Sequence, residues 1–509
     1  MVGPSASVAV ATMFVAWLLA RIAWRLFFHP LARFPGPKLA ALTHWYEGYY
    51  DIVKKGQFTF EIGRMHEKYG PIVRVGPDEL HILDPEFYEK LYDTRNLKVD
   101  KYAWFYTMLG NPQATFPTVS AEVHRKRRAA LNPFFSVNAI SKLIPTVQAG
   151  VDKLSSRMDE CTAQNKPIPL FYAYRCLTVD IISDYAFAGK LGMLEREDWG
   201  ESFYFAWRAL WEMSGMIRQL PWMMDVLMAL PRWVTAATNP AALEVIDMIA
   251  TTDEQTRLVL ETSPEAYDAK PYPTIMWGIA NNPDLPPEEK TFKRLAVEAN
   301  SILAAGFETT ASVLTLMTFL VLDNPEVHAR LKQELETAIP DPNNVPGWQV
   351  LERLPLLSAV VKESLRMSVG AVSRLPRVYP EPIQYKQWTI PANTGVGMSN
   401  WYIAFSPEIF PEPKRFNPDR WGLPGSPTRR YLEKHLHPFG GGSRQCVAMN
   451  MAYAELYSVL ATIIRRYPDM VLWETDQSDM EFVFDYFAGA ATHKRGGLKV
   501  KLGKDVAGN

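Results

Sequence analysis

Cysteine is almost absent from this chain: three in 509 residues, Cys161, Cys176 and Cys446, odd in number and far apart. That excludes a disulfide framework and points to a reducing compartment. An excess of one charge sign is missing too. The 54 basic and 55 acidic side chains leave a formal charge of −1, so no global field favours nucleic acid. The nine histidines show no H-E-x-x-H or comparable zinc spacing, and His435 and His437 read as solvated loop residues. No flavin or nicotinamide module is visible, and GGSRQ lacks the second glycine of a G-x-S-x-G nucleophile elbow. The length is ample for a large core, in one big domain or two fused lobes.

What is present begins with an apolar N-terminus. Residues 2–20 carry no charge, and Arg21, Arg25, Arg33 and Lys38 come next. A spanning helix needs about 20 mostly apolar residues. Basic residues on its C-terminal side predict a cytosolic body. A cleaved signal would want a positive segment before the apolar run, and there is none. The chain therefore divides into an anchor with flanking basic residues (1–28), a Pro-rich hinge around Phe34-Pro35-Gly36-Pro37 (29–38), and a globular body (39–509).

Within the body, residues 57–91 pass from a helical run to two short β-rich runs around a Gly-Pro turn, a small sheet lobe. Residues 203–235 are dense in Trp, Met, Phe and Leu, which suits core packing and a mobile lid over an apolar pocket about equally. FDYFAGAATHKRGGLKVKL, near the end, reads as a hairpin.

The informative stretch is FGGGSRQCVA, Phe439 to Ala448. Three glycines lead to Cys446 just before a long helical run, where aligned N–H groups favour a thiolate. The glycines allow close backbone approach, and Arg444 can meet an anionic group. An ordinary buried cysteine is the plain alternative. The spacing Phe439-x-x-Gly442-x-Arg444-x-Cys446, however, resembles the haem-binding signature of the cytochrome P450 family. One departure is Ala448, where the family usually has glycine.

Other stretches extend the resemblance over residues 30–505 in family order. Residues 284–325 form a long apolar helix with Ala305-Gly306-Phe307-Glu308-Thr309-Thr310 at its middle. An acid and two threonines there are costly unless satisfied or used. Gly306 and Thr309 permit a local opening at the Ala305 carbonyl. The resemblance implies that Thr309 hydrogen-bonds oxygen and that Glu308 delivers protons; an ordinary salt bridge for Glu308 is the alternative. It further implies propionate contacts from Arg128, His124 (where tryptophan is more common), Arg377 and Arg444, with Arg374 able to reach the pocket instead. Glu363 and Arg366 with Arg415 match the family's buried scaffold network. By the same analogy, Ala304, Phe307, Val369 and Val372 line an apolar pocket.

The expectations are therefore a mainly α fold with a small β lobe, and haem b between the long helix and the Cys446 loop. The reaction implied is monooxygenation of an apolar small molecule, a terpenoid or polyketide intermediate of fungal secondary metabolism. Electrons would come from NADPH through a separate NADPH–cytochrome P450 reductase, with cytochrome b5 a further donor. The location implied is the endoplasmic reticulum membrane, single-pass, with the catalytic domain in the cytosol and against membrane lipid. A haem-thiolate isomerase or dehydratase and a non-enzymatic haem sensor are the rival readings.

Overall fold

The computed structural model describes residues 4–93, 98–110, 112–240, 242–268, 272–492 and 495–503. Residues 1–3 of the expected anchor, 493 and 494 of the expected hairpin, and 504–509 lie outside the described residues. The fold is mainly helical, with small sheets. Seven helices carry the anchor, the core and the site: α1 (Pro4–Ala23), α2 (Ala121–Leu131), α3 (Leu170–Phe187), α4 (Glu201–Glu212), α5 (Phe292–Leu322), α6 (Pro355–Ser368) and α7 (Met449–Arg466).

Among the described residues two helices are long and apolar enough to cross a membrane. In Val8–Phe28 none of the apolar window is buried; in α5 61% of it is, as suits a core helix. The core forms where α3 lies along α5. A Cβ on Gly306 would stand 2.9 Å from Ile182 of α3, so glycine there allows the two helices to approach closely. The helix is unbroken at this point.

The sheet lobe arises from alternating β-rich runs. β1 (Ile72–Gly76) turns into antiparallel β2 (Glu79–Ile82), and the sheet continues with β3 (Asp100–Lys101), β4 (Arg377–Val378) and β5 (Gly395–Gly397) in the order β1-β2-β5-β4-β3. Beneath it, helix Phe58–Tyr69 buries His66 against His81 of β2. The contact is 2.7 Å between ring nitrogens, with Gly70 O at 2.8 Å from His66 and the Ser399 N–H donating to His81 at 3.0 Å. The relay is satisfied only with both rings neutral. Burial lowers the His66 pKa from 6.5 to about 4. The unfolded chain therefore binds more protons between those values, and stability falls as pH drops from 6.5 toward 4. His66 alone contributes on the order of 3 kcal/mol to that loss. Thermal unfolding followed by circular dichroism across that window checks it; a flat midpoint would contradict the buried relay.

Three expectations change here. The 203–235 stretch divides: α4 buries Phe203 and Trp207, whereas Trp222 and Trp233 are 59% and 73% exposed. His435 is buried rather than solvated, at 3.2 Å from Glu86, and His437 stacks on Tyr88. The terminal hairpin is shorter than expected. It consists of β6 (Phe484–Tyr486) and β7 (Ala488–Ala490) turning at Phe487, while Val500–Lys501 pairs with Val471–Leu472.

Candidate functional site

The scaffold is set by α6. Glu363 and Arg366 lie three residues apart and are both fully buried, joined by two hydrogen bonds of 2.9 and 3.0 Å. The second arginine of this network is Arg420, not Arg415. Arg420 Nε donates to Glu363 at 2.8 Å, and the Trp421 indole and Asn417 N–H donate to the same carboxylate at 3.0 and 3.2 Å. Arg415 is at the surface, 68% exposed and paired with Glu412; only its carbonyl takes part, accepting from Arg420. The reason is the tight turn Pro418–Trp421, which docks on α6 and carries Arg420 and Trp421 inward together.

The cysteine loop packs onto this scaffold. Gly442 has φ +66°, and a Cβ on it would collide with the Tyr92 carbonyl, so this glycine serves contact with protein backbone. The Cys446 N–H donates to Phe439 O at 2.9 Å, and the Phe439 ring packs on Tyr453. Cys446 is enclosed by protein, yet its surface is open because it faces a cavity. That cavity measures about 980 Å³ and is lined by His124, Arg128, Phe135, Gly442, Arg444 and Cys446 among others. Burial pushes the Cys446 thiol up, opposed by the Ala448 N–H and the Arg128 guanidinium.

Basic residues converge beside it from four pieces of chain. Arg444 donates to Thr118 O and Val119 O at 2.8 and 2.9 Å. Arg377 in β4 donates to the Tyr106 hydroxyl at 3.0 Å. Lys101 in β3, only 3% exposed, donates to Phe116 O. Arg128 of α2 donates to Gln445 O at 2.6 Å and Asn132 at 2.7 Å. Among the described residues none of these four is ion-paired with a carboxylate. Burial, then Arg444, Lys101, Arg128 and Arg377, lower the His124 pKa to about 2. Burial and Arg377 likewise bring Arg444 down to about 10. Buried cations without anions are costly, so the cluster calls for an anionic group. The sequence reading missed Lys101, which carries no motif and becomes visible only once β3 pairs with β4.

On α5, Ala305 and Thr309 are exposed although their neighbours Leu303, Phe307 and Thr310 are buried. They lie one turn apart on one face, which therefore borders open space. Thr309 Oγ1 donates to Ala305 O at 2.8 Å. Glu308 is not free: Arg175 of α3 holds both its oxygens and Ser312 donates to it at 2.7 Å, with Arg175 stacked on Phe171. Of the expected pocket residues, Ala304 is half-buried. Phe307 is instead packed between Phe203 and Trp207, and Val369 and Val372 are closed within a cluster with Ala404. Ala305 shares the open face with Thr309; the sequence reading named only its carbonyl, and its i, i+4 relation to Thr309 was the available signal for the rest. Arg374 does not line the Cys446 cavity, being held by Glu79 at 2.7 Å and Glu47 at 2.8 Å.

The donor set fits a haem: one thiolate candidate opening into the cavity and a cationic cluster for two propionates. Comparison with known proteins agrees. The Cytochrome P450 family model matches residues 37–488. Tryptophan 6-hydroxylase fscE of Fusarium equiseti is 39% identical over 94% of this chain and 93% of its own length. Cytochrome P450 monooxygenase sdnE of Sordaria araneosa is 38% identical over 97% of each. N-acetyltryptophan 6-hydroxylase ivoC of Emericella nidulans is 36% identical over 94% of each. This chain belongs to the cytochrome P450 family and is a monooxygenase of that family.

Proposed function

We propose that the protein inserts one oxygen atom from O2 into an apolar small molecule of fungal secondary metabolism, by hydroxylation or epoxidation. The observation that carries this reading is Cys446 opening into a cavity lined by half-buried Arg128 and Arg444, with buried Lys101 and Arg377 beside them, none ion-paired with a carboxylate among the described residues. Haem b, when bound, supplies the oxygen activation, and a thiolate ligand favours O–O cleavage. Cys446 would be that ligand. Lys101, Arg377, Arg444 and His124 would hold the propionates, and Arg128 keeps a positive charge near the sulfur.

The remaining chemistry falls to side chains of α5. Thr309 holds a hydroxyl proton on the exposed face, where oxygen and substrate meet. Once turned from Arg175, the Glu308 carboxylate would take a proton from water and pass it to the Thr309 hydroxyl as that hydroxyl gives up its own, while stacking on Phe171 keeps the Arg175 cation in place. Thr309→Ala is therefore expected to keep NADPH consumption while product per NADPH falls about a hundredfold, the low end for loss of a proton-transfer group. Unchanged coupling, measured as product against NADPH oxidised, would move proton delivery elsewhere.

Val8–Phe28, with the exposed Trp222 and Trp233, supports a membrane-held protein, and the basic residues after the span support a cytosolic body at the endoplasmic reticulum. Electrons would reach it from NADPH through a separate reductase, with cytochrome b5 as a second donor. Terpenoids and polyketides head the substrate panel, and the two relatives named for tryptophan and N-acetyltryptophan add indoles to it. The test is reconstitution in vesicles with reductase, NADPH and labelled O2. Product carrying one labelled oxygen supports the reading; product formed equally without NADPH would make the protein an isomerase or dehydratase.

A further inference from the structure

A run of ring contacts joins the two sides of the site. Phe307, two residues before Thr309, meets Trp207 with 5.8 Å between centroids, and Trp207 meets Trp211 at 6.3 Å. Trp211 stacks on Phe487 at 6.0 Å and an interplanar angle of 17°, and Phe487 meets Phe116 edge-on at 5.7 Å. Phe116 carries the Lys101 ammonium 4.0 Å over its ring and touches Tyr106, whose hydroxyl accepts from Arg377. The arc thus runs from the Glu308–Thr309 helix to the basic cluster.

Burial changes along it. Phe307 and Trp207 are buried, Trp211 and Phe487 half-buried, and Phe116 is 40% exposed between buried Thr115 and Thr118. Buried Lys101 covers one face of Phe116, and the rest of the ring is open. Phe487 also holds φ +80°, a costly backbone for a bulky residue. It is fixed there by its N–H to Asp485 at 2.8 Å and by the Val372 N–H donating to its carbonyl at 3.0 Å. Glycine would adopt that turn without strain, so the aromatic ring is what the position retains.

We propose that Trp211, Phe487 and Phe116 form a slot that selects planar, unsaturated substrates over saturated ones of the same size. This rests on the monooxygenase reading and names its substrate class. Apolar area alone would hold both kinds, whereas ring faces and edges favour a second π-system in stacked or edge-on contact. A planar ring slides along the Trp211–Phe487 face; a puckered one keeps only scattered contacts.

The experiment titrates the purified, haem-loaded full chain with naphthalene and with decalin, which share ten carbons, and tracks the shift of the ferric Soret band. Naphthalene is expected to bind about tenfold tighter. Trp211→Leu and Phe487→Leu should each weaken naphthalene about 5-fold and change decalin less than about twofold. Where either variant lacks the reduced carbon monoxide band of a folded haem protein, Phe116→Leu, on a loop, provides the same comparison. Decalin binding as tightly as naphthalene, leucine variants weakening both alike, or no naphthalene shift would each overturn the slot. A thiolate-type band with any of those results leaves the monooxygenase reading standing; loss of that band in the wild type would sink that reading instead.

Discussion

Cys446→Ser is expected to retain its helical circular dichroism but lose the strongly red-shifted Soret band of the reduced, carbon monoxide-treated protein, and with it all measurable turnover. The reasons are local. Among the described residues Cys446 is the cysteine that opens into the cavity; Cys176 is buried with its thiol on Trp199 O at 3.0 Å, and Cys161 lies at the end of helix Val137–Ala163. Burial alone would keep the Cys446 thiol protonated, so the Ala448 N–H and Arg128 matter as the groups that favour its anion. Serine preserves the Phe439 backbone contact and the loop but lacks a soft, easily ionised donor. A normal thiolate band in the serine variant would overturn the ligand assignment, and haem bound with a histidine-type band would locate the ligand elsewhere.

Arg420→Ala carries the second large effect, a loss of about 3–5 kcal/mol in unfolding free energy. Glu363 is fully buried and takes donors from Arg366, Arg420, Trp421 and Asn417. Removing Arg420 leaves one negative charge against Arg366 alone and frees the turn Pro418–Trp421 from three backbone carbonyls, those of Pro411, Glu412 and Arg415. Arg415→Ala, at an exposed pair, should be indistinguishable from wild type. Thermal and denaturant unfolding of the two variants side by side decides between them. Equal losses, or a larger one at Arg415, would return Arg415 to the network.

These two arginines also show where reading the chain reaches its limit. Both stand in one Pro-rich irregular segment and each precedes an aromatic residue, Phe416 or Trp421, so this local pattern does not separate them. Only the docking of the turn on α6 shows that Arg420 points inward. The Arg-Trp pair at 420–421 was a usable signal: both side chains are donors, and both serve one acid.

Neighbours along the chain were enough to specify the exposed apolar N-terminal helix, the short strands about Gly76-Pro77, the long helix through Thr309, and the glycine-rich loop ending at Cys446. Each is encoded by spacing within a few turns, so local propensity and covalent geometry suffice. Tertiary structure decided the partners. Lys101 joins Arg377 and Arg444 through β pairing, Arg175 reaches Glu308 across 133 residues, and Phe487 meets Trp211 and Phe116 at a strained turn. Buried charges and rings take their meaning from whatever the fold sets against them, and that is a property of packing rather than of sequence distance.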